Sequence, residues 1–238
     1  MVTKFSDPYD HYVLDDFLDR EVALELSKEF LPYDSPHWYV YDNPLEKKRA
    51  CNNWYQFPPT TYNFFHYLNS EDFVARLREI TGEEQIFIDM GLHGAGWHMH
   101  GPGGKLNLHL DYSLHPKTGL LRKFNLIYYL SPEWDTAWGG NLELWSHDEA
   151  NNKPKEKVKT VECKFNRAIL FDASQNSWHG FTDPIKSPNG ECRKSIAVYF
   201  HTLAPSDADQ RTRVLYAPTK EQENDPEVLA LIKQRSKP

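Results

Sequence analysis

The sequence predicts a mainly β protein with flanking helices, its core an antiparallel sandwich or barrel. Three observations lead there. From Gln85 onward, short runs rich in Ile, Leu, Val, Phe and Tyr recur between turn residues. Before that point the apolar residues fall with a helical period. The composition, 39% hydrophobic and 14% aromatic, is enough to fill one core and too apolar for a disordered chain.

Taken in order, Asp16 to Phe30 sets Phe17, Leu18, Val22, Leu24, Leu26 and Phe30 roughly on one side, with Asp15 or Asp16 as cap and Pro32 beyond the end. Thr60 to Leu68 predicts a second helix. Ser70 to Ile80 predicts a third, with Ser70 as N-cap and Gly82 as stop. The expected strands are Ile86 to Met90, Leu106 to Asp111, Phe124 to Leu130, Asn141 to Trp145, Thr160 to Phe165, Ala168 to Phe171 and Ser195 to Thr202. The polar stretch His147 to Lys159 reads as a solvated hairpin tip. Near the end, Asp225 and Pro226 supply a cap and an N1 proline for a short helix carrying Val228, Leu229, Leu231 and Ile232, expected to dock on the outside. No repeat or break in composition divides the chain. A single domain 1–238 is expected, in which residues 1–84 are helical, 85–204 form the β core and 205–238 an extension.

The charge balance, 27 basic against 34 acidic residues for a net −7, argues against a nucleic-acid-coating domain. Cys51, Cys163 and Cys192 are few, odd in number and far apart, which points away from a disulfide framework or a thiolate zinc site and toward a reducing compartment. No apolar run approaches the ~20 residues of a membrane span, and the N-terminus has no signal-like apolar stretch. A soluble, cytoplasmic protein without membrane contact is expected.

Eleven histidines are the unusual count, because histidine is the commonest metal ligand. Asn107-Leu108-His109-Leu110-Asp111 alternates with period two, so in a strand His109 and Asp111 project from one face as two cis ligands. By itself this pair also suits an exposed strand. His179, in Ser177-Trp178-His179-Gly180, follows the strand Arg167 to Asp172 and offers a third ligand 68 residues after Asp111. Two histidines and one carboxylate form a facial triad that leaves positions on non-haem Fe(II) open for a chelating cosubstrate and O2. Farther on, Arg193 and Ser195 share a face of one strand and offer a forked donor with a neighbouring hydroxyl, an anion clamp.

With these pieces in order, the segment Gly96 to Leu203 resembles the 2-oxoglutarate- and Fe(II)-dependent oxygenases, above all their prolyl-hydroxylase-like branch. The resemblance runs through Leu106–Asp111, Asn125–Leu130, Trp138–Trp145, Arg167–Phe171, Trp178-His179 and Arg193–Ser195. It implies a double-stranded β-helix of jelly-roll, cupin-like type. It implies His109, Asp111 and His179 as iron ligands, and Arg193 with Tyr129, Ser195 and Asn125 as the cosubstrate set. Fe(II), 2-oxoglutarate and O2 are the implied cofactors and co-reactants, with ascorbate as an optional auxiliary. The Asp111 carboxylate favours hydroxylation over halogenation, since halogenating relatives carry Gly or Ala there. Animal-type prolyl hydroxylases often have a cosubstrate-touching Tyr ahead of the iron strand. Here that stretch is Trp97-His-Met-His-Gly-Pro-Gly-Gly104, so His98 or His100 is set against a plain Gly-rich loop.

Arg122, Trp54, Tyr112, His100 and Trp178 are the candidate substrate contacts, Trp54 as one element of an aromatic lid over Asn52–Pro59. For each, ordinary packing or solvation is the competing assignment. The expected reaction is hydroxylation of an aliphatic C–H, foremost of a prolyl residue in a peptide or protein, with a free amino acid or other small molecule as the alternative substrate. A cupin-like barrel holding another metal without oxygenase activity is the alternative of another class, disfavoured by the Arg193 clamp. A protein-interaction module would leave so many buried polar residues as an unexplained cost.

Overall fold

The computed structural model describes residues 2–236, so residues 1, 237 and 238 of the expected domain lie outside it. In chain order the elements are β1 (Val2–Phe5), β2 (His11–Leu14), α1 (Arg20–Lys28), β3 (Tyr39–Asn43), β4 (Glu46–Cys51), α2 (Pro59–Leu68), α3 (Glu71–Thr81), β5 (Gly96–His100), β6 (Lys105–Leu110), β7 (Leu121–Tyr129), β8 (Leu142–Asp148), β9 (Lys153–Val161), β10 (Ala168–Asp172), β11 (Trp178–Phe181), β12 (Arg193–Thr202), β13 (Leu215–Tyr216) and α4 (Pro226–Ser236). Neighbours pair antiparallel in the order β1-β2-β10-β7-β12-β5-β4-β6-β11-β8-β9, with β3 on β4 and β13 on β6. The sheet curls into the expected jelly-roll, double-stranded β-helix. One arm is β2-β10-β7-β12-β5, the other β6-β11-β8-β9, and β4 joins them by pairing with both β5 and β6.

Period-two alternation decides what each arm shows to its two sides. On β7, Phe124, Leu126 and Tyr128 pack with Ile196, Val198 and Phe200 of β12 and Trp97 and Met99 of β5. The same core takes Leu26 of α1, Phe65 and Leu68 of α2, and Phe73 and Leu77 of α3. The helices therefore cover the outside of this arm and free its other face for the interior. There stand Asn125, Ile127, Ser195, Ala197, His98 and His100. Ser70 caps α3 by accepting from the Phe73 amide, and Gly82 ends it at φ +75°, as the sequence predicts.

Several expectations need correction. Residues 1–84 are not purely helical, because β1 to β4 lie there and β2 and β4 are built into the main sheet. Helix α1 starts later than its apolar pattern does, with Asp19 as cap. The Phe17 and Leu18 amides are taken by Asn166, and Asp15 pairs with Arg167, so tertiary bonds compete with the first helical turn. Ile86 to Met90 is not a strand. Phe87 makes one bridge to His201, and Asp89 turns the chain by accepting from the Gly91 and His93 amides. The stretch 147–159 is mostly ladder, since β8 and β9 extend to Asp148 and Lys153. Its polarity belongs to an edge strand, where Lys and Pro discourage further pairing. The expected strand Thr160 to Phe165 accordingly ends at Val161. The supposed Gly-rich loop before the metal strand contains β5. A Cβ on Gly96 would collide with the Cys51 carbonyl oxygen, so a glycine there lets β4 approach.

Candidate metal centre

Strand β6 delivers His109 to the interior and Asp111 follows directly after its end. Strand β11 lies alongside with His179 in register opposite His109. The two imidazoles stand 4.3 Å apart between centroids. Each is oriented the same way: Nδ1–H of His109 donates to the Asn107 carbonyl at 3.0 Å, and that of His179 to the Ser177 carbonyl at 2.8 Å. A carbonyl only accepts, so both Nδ1 atoms carry the proton and both Nε2 lone pairs are free. The Nε2 atoms face the Asp111 carboxylate at 3.5 Å, one toward each oxygen. One ligand atom from each residue lies within 4.8 Å of the others. This donor set fits a divalent ion of the Fe(II) kind, with a face left open.

Electrostatics favour the ligating forms of His179 and Asp111. Burial, reinforced by His109, pushes His179 down to about 3. Burial works against the ionised Asp111, but the Arg122 guanidinium and the neighbouring histidines hold it well below the usual carboxylate range. Arg122 Nη2 reaches Asp111 at 3.0 Å, Asn125 Nδ2 donates to the same carboxylate at 2.6 Å, and Arg122 Nε donates to Asn125 Oδ1 at 2.5 Å. The Tyr199 and Tyr112 rings flank the guanidinium at 3.3 and 4.6 Å. Arg122 and Asn125 are three apart on one strand and would ordinarily face opposite ways. A bulge against β12, where Phe200 pairs with Phe124 but His201 with Arg122, brings them to the same side.

Deeper in, Arg193 is buried among neutral partners. Its Nε donates to the Gly140 carbonyl at 2.8 Å and Nη1 to Ser195 Oγ at 3.3 Å, with the Tyr129 and Phe181 rings 4.9 and 5.0 Å from the guanidinium carbon. Gly140 sits at φ +72°, and a Cβ there would lie 2.7 Å from Arg193 Cδ. Tyr129 Oη is buried with no partner, and Ser195 stands opposite Tyr129 in the ladder. An unpartnered hydroxyl beside a cation without a counter-ion fits an anion's terminus. One cavity of about 620 Å³ joins Arg193 and Ser195 to the triad, and Tyr39, Tyr41 and Arg213 also line it.

The sequence-predicted residues divide. His109, Asp111 and His179 come together, as do Arg193, Ser195 and Tyr129, and His100 and Tyr112 line the cavity. Tyr112 Oη stands 3.2 Å from His201 Nε2. Asn125, expected on the cosubstrate, and Arg122, expected on substrate, border the cavity with their polar ends committed to Asp111. Trp54 is no lid: it packs against Phe57, Tyr62 and Phe65 and donates to the Met90 carbonyl. Trp178 points away from His179, buried with Leu108 and Leu110, its indole N–H on His147. Two contributors were missed. Tyr199 shares a face of β12 with Ser195, which alternation could have revealed. Tyr216 lies opposite His109 from the two-residue β13, ring centroids 5.4 Å apart, and so short a strand leaves no periodic signal.

Fold and site together define a jelly-roll core that sets a His-Asp-His metal centre beside a buried arginine clamp. Residues 95–201 match the model of the 2OG-Fe(II) oxygenase superfamily. The prolyl 3-hydroxylase OGFOD1 of Mus musculus is 27% identical over 197 residues, 82% of this chain and 33% of that protein. Its Xenopus laevis counterpart is 35% identical over 80 residues, 34% of this chain and 15% of that protein. The chain thus spans a third or less of the curated relatives it matches. A prolyl hydroxylase from Trichoplax adhaerens, solved with a hypoxia inducible factor peptide fragment, superposes with TM-score 0.57 at 18% identity, covering 81% of this chain and 83% of that one.

Proposed function

We propose that this chain is a 2-oxoglutarate- and Fe(II)-dependent dioxygenase that hydroxylates a prolyl residue in a peptide or protein. The observation that carries the reading is a single cavity containing both the His109-Asp111-His179 triad and the Arg193 clamp. A metal-binding barrel without this chemistry has no need of the clamp. Prolyl chemistry is supported by the relatives' names, and a peptide substrate by the peptide bound to the structural neighbour.

When bound, Fe(II) with 2-oxoglutarate and O2 supplies the oxidising power to place one oxygen atom on a C–H carbon, the other leaving in succinate as CO2 is released. The chain's own residues bind and position. His109, Asp111 and His179 hold the metal, while Arg122 and Asn125 fix the Asp111 carboxylate. Arg193 donates to the distal carboxylate of 2-oxoglutarate, with Ser195 and Tyr129 as hydroxyl partners. Ile127, Leu142 and Phe181 line the same end with apolar surface that excludes water. The three free thiols accord with a reducing, cytoplasmic setting.

Anaerobic addition of Fe(II) and 2-oxoglutarate to the folded protein should produce a weak visible charge-transfer band. Its absence would remove the oxygenase reading. Incubation with O2 and ascorbate, against proline-containing peptides and free amino acids, should add one oxygen atom to a peptide; a gain confined to a free amino acid would transfer the assignment to the small-molecule alternative.

A further inference from the structure

We propose that His100 is a third arm of the carboxylate clamp, donating a ring N–H to the distal carboxylate of the dicarboxylate that Arg193 binds. The proposal rests on the oxygenase reading above.

The argument starts from β5. Trp97 and Met99 enter the core under the helices, so His98 and His100 turn the other way, toward the cavity. His100 stands directly across the β5–β12 ladder from Arg193, as His98 does from Ser195. Its ring packs edge-on against Phe181 at 5.0 Å, the same ring that borders the Arg193 guanidinium. Gly104 folds the following turn tightly over it, since a Cβ there would stand 2.9 Å from His100 Cβ.

His100 is 2% exposed, and neither of its ring nitrogens has a hydrogen-bond partner. Buried polar atoms are nearly always paired, so such atoms mark a place where a ligand or ordered water belongs. Among the described residues eight buried side-chain polar atoms lack partners. Three of them, both His100 nitrogens and Tyr129 Oη, belong to residues around Arg193. A carboxylate has about four acceptor sites and can meet several donors at once. Burial, then the Arg193 charge, holds His100 well below the usual histidine range, so the ring is neutral. A neutral imidazole beside the guanidinium adds a directed donor without a second buried positive charge.

The test is a calorimetric titration of the full chain, loaded with Mn(II) under anaerobic conditions. Two ligands are compared: 2-oxoglutarate and 2-oxopentanoate, which has the same carbon chain without the distal carboxylate. His100→Ala should weaken 2-oxoglutarate binding about tenfold, about 1.4 kcal/mol, and leave 2-oxopentanoate and Mn(II) binding unchanged. His100→Asn, which keeps a side-chain N–H donor, should recover some of the loss and serves if the alanine variant does not fold. Equal weakening of both ligands would mean that His100 only shapes the cavity wall, and no change in either would mean that it makes no contact; each result overturns the proposal. Failure of the folded, metal-loaded wild type to bind 2-oxoglutarate would instead overturn the oxygenase reading beneath it.

Discussion

At the scale of single residues, the centre depends on side chains that never need to touch the metal. Arg122 and Asn125 hold Asp111, so Arg122→Gln should lower metal affinity by about 10- to 100-fold, the usual cost of losing an outer partner of a ligand. Competition with a coloured chelator measures this, and unchanged affinity would deny Arg122 its role. Gly140 gives a second expectation. Its positive φ and the 2.7 Å approach of Arg193 Cδ leave no room for a methyl group. Gly140→Ala should displace Arg193 and weaken 2-oxoglutarate binding while metal binding stays intact, which the same titration reads.

At the scale of elements, the helices form a support behind the arm that carries Arg193, Tyr129 and Asn125. Phe65 of α2 is fully buried and stacks on Phe57 at 4.7 Å, and Phe57 in turn meets Trp97 of β5. Phe65→Ala should cost about 3–5 kcal/mol of stability in urea melts, the range for truncating a buried aromatic. Affinity for Mn(II) in the folded population should remain, because the ligands sit on the opposite side of the sheet. A loss below about 1 kcal/mol, well under that range, would show the helical layer to be loosely coupled. Much at this scale was legible beforehand: α2, α3 and α4, and strands β6, β7, β10 and β12, follow from apolar period, capping residues and turn residues. Strands β2 and β4 were not, because His11–Leu14 and the charged Glu46–Cys51 acquire strand character only from the neighbours they pair with.

For the whole molecule, neutral histidines that are buried, or in the case of His98 half-buried, make folding sensitive to acid. His98, His179 and His201 are each pushed from 6.5 to about 3, chiefly by burial. Below pH 6.5 the unfolded chain binds protons that the folded chain refuses. Stability from these groups is therefore present above 6.5 and is lost progressively as pH falls toward 3. Three such sites give a slope of up to about 4 kcal/mol per pH unit in that window. Urea melts of the metal-free protein at pH 7 and pH 5 measure it, and equal midpoints would contradict the burial of these rings. Local periodicity alone specifies a β core after a helical start, His109 and Asp111 on one strand face, and Arg193 and Ser195 on another. A strand's alternation is a property of consecutive residues, so it can be read without the fold. Long-range packing is what brings Arg122 to Asp111, seats Trp54 and Trp178 in aromatic and apolar clusters, and lays Tyr216 beside His109. Those outcomes hang on a bulge, an aromatic cluster and a two-residue strand, each made by residues distant in the chain and held by packing that no single segment encodes.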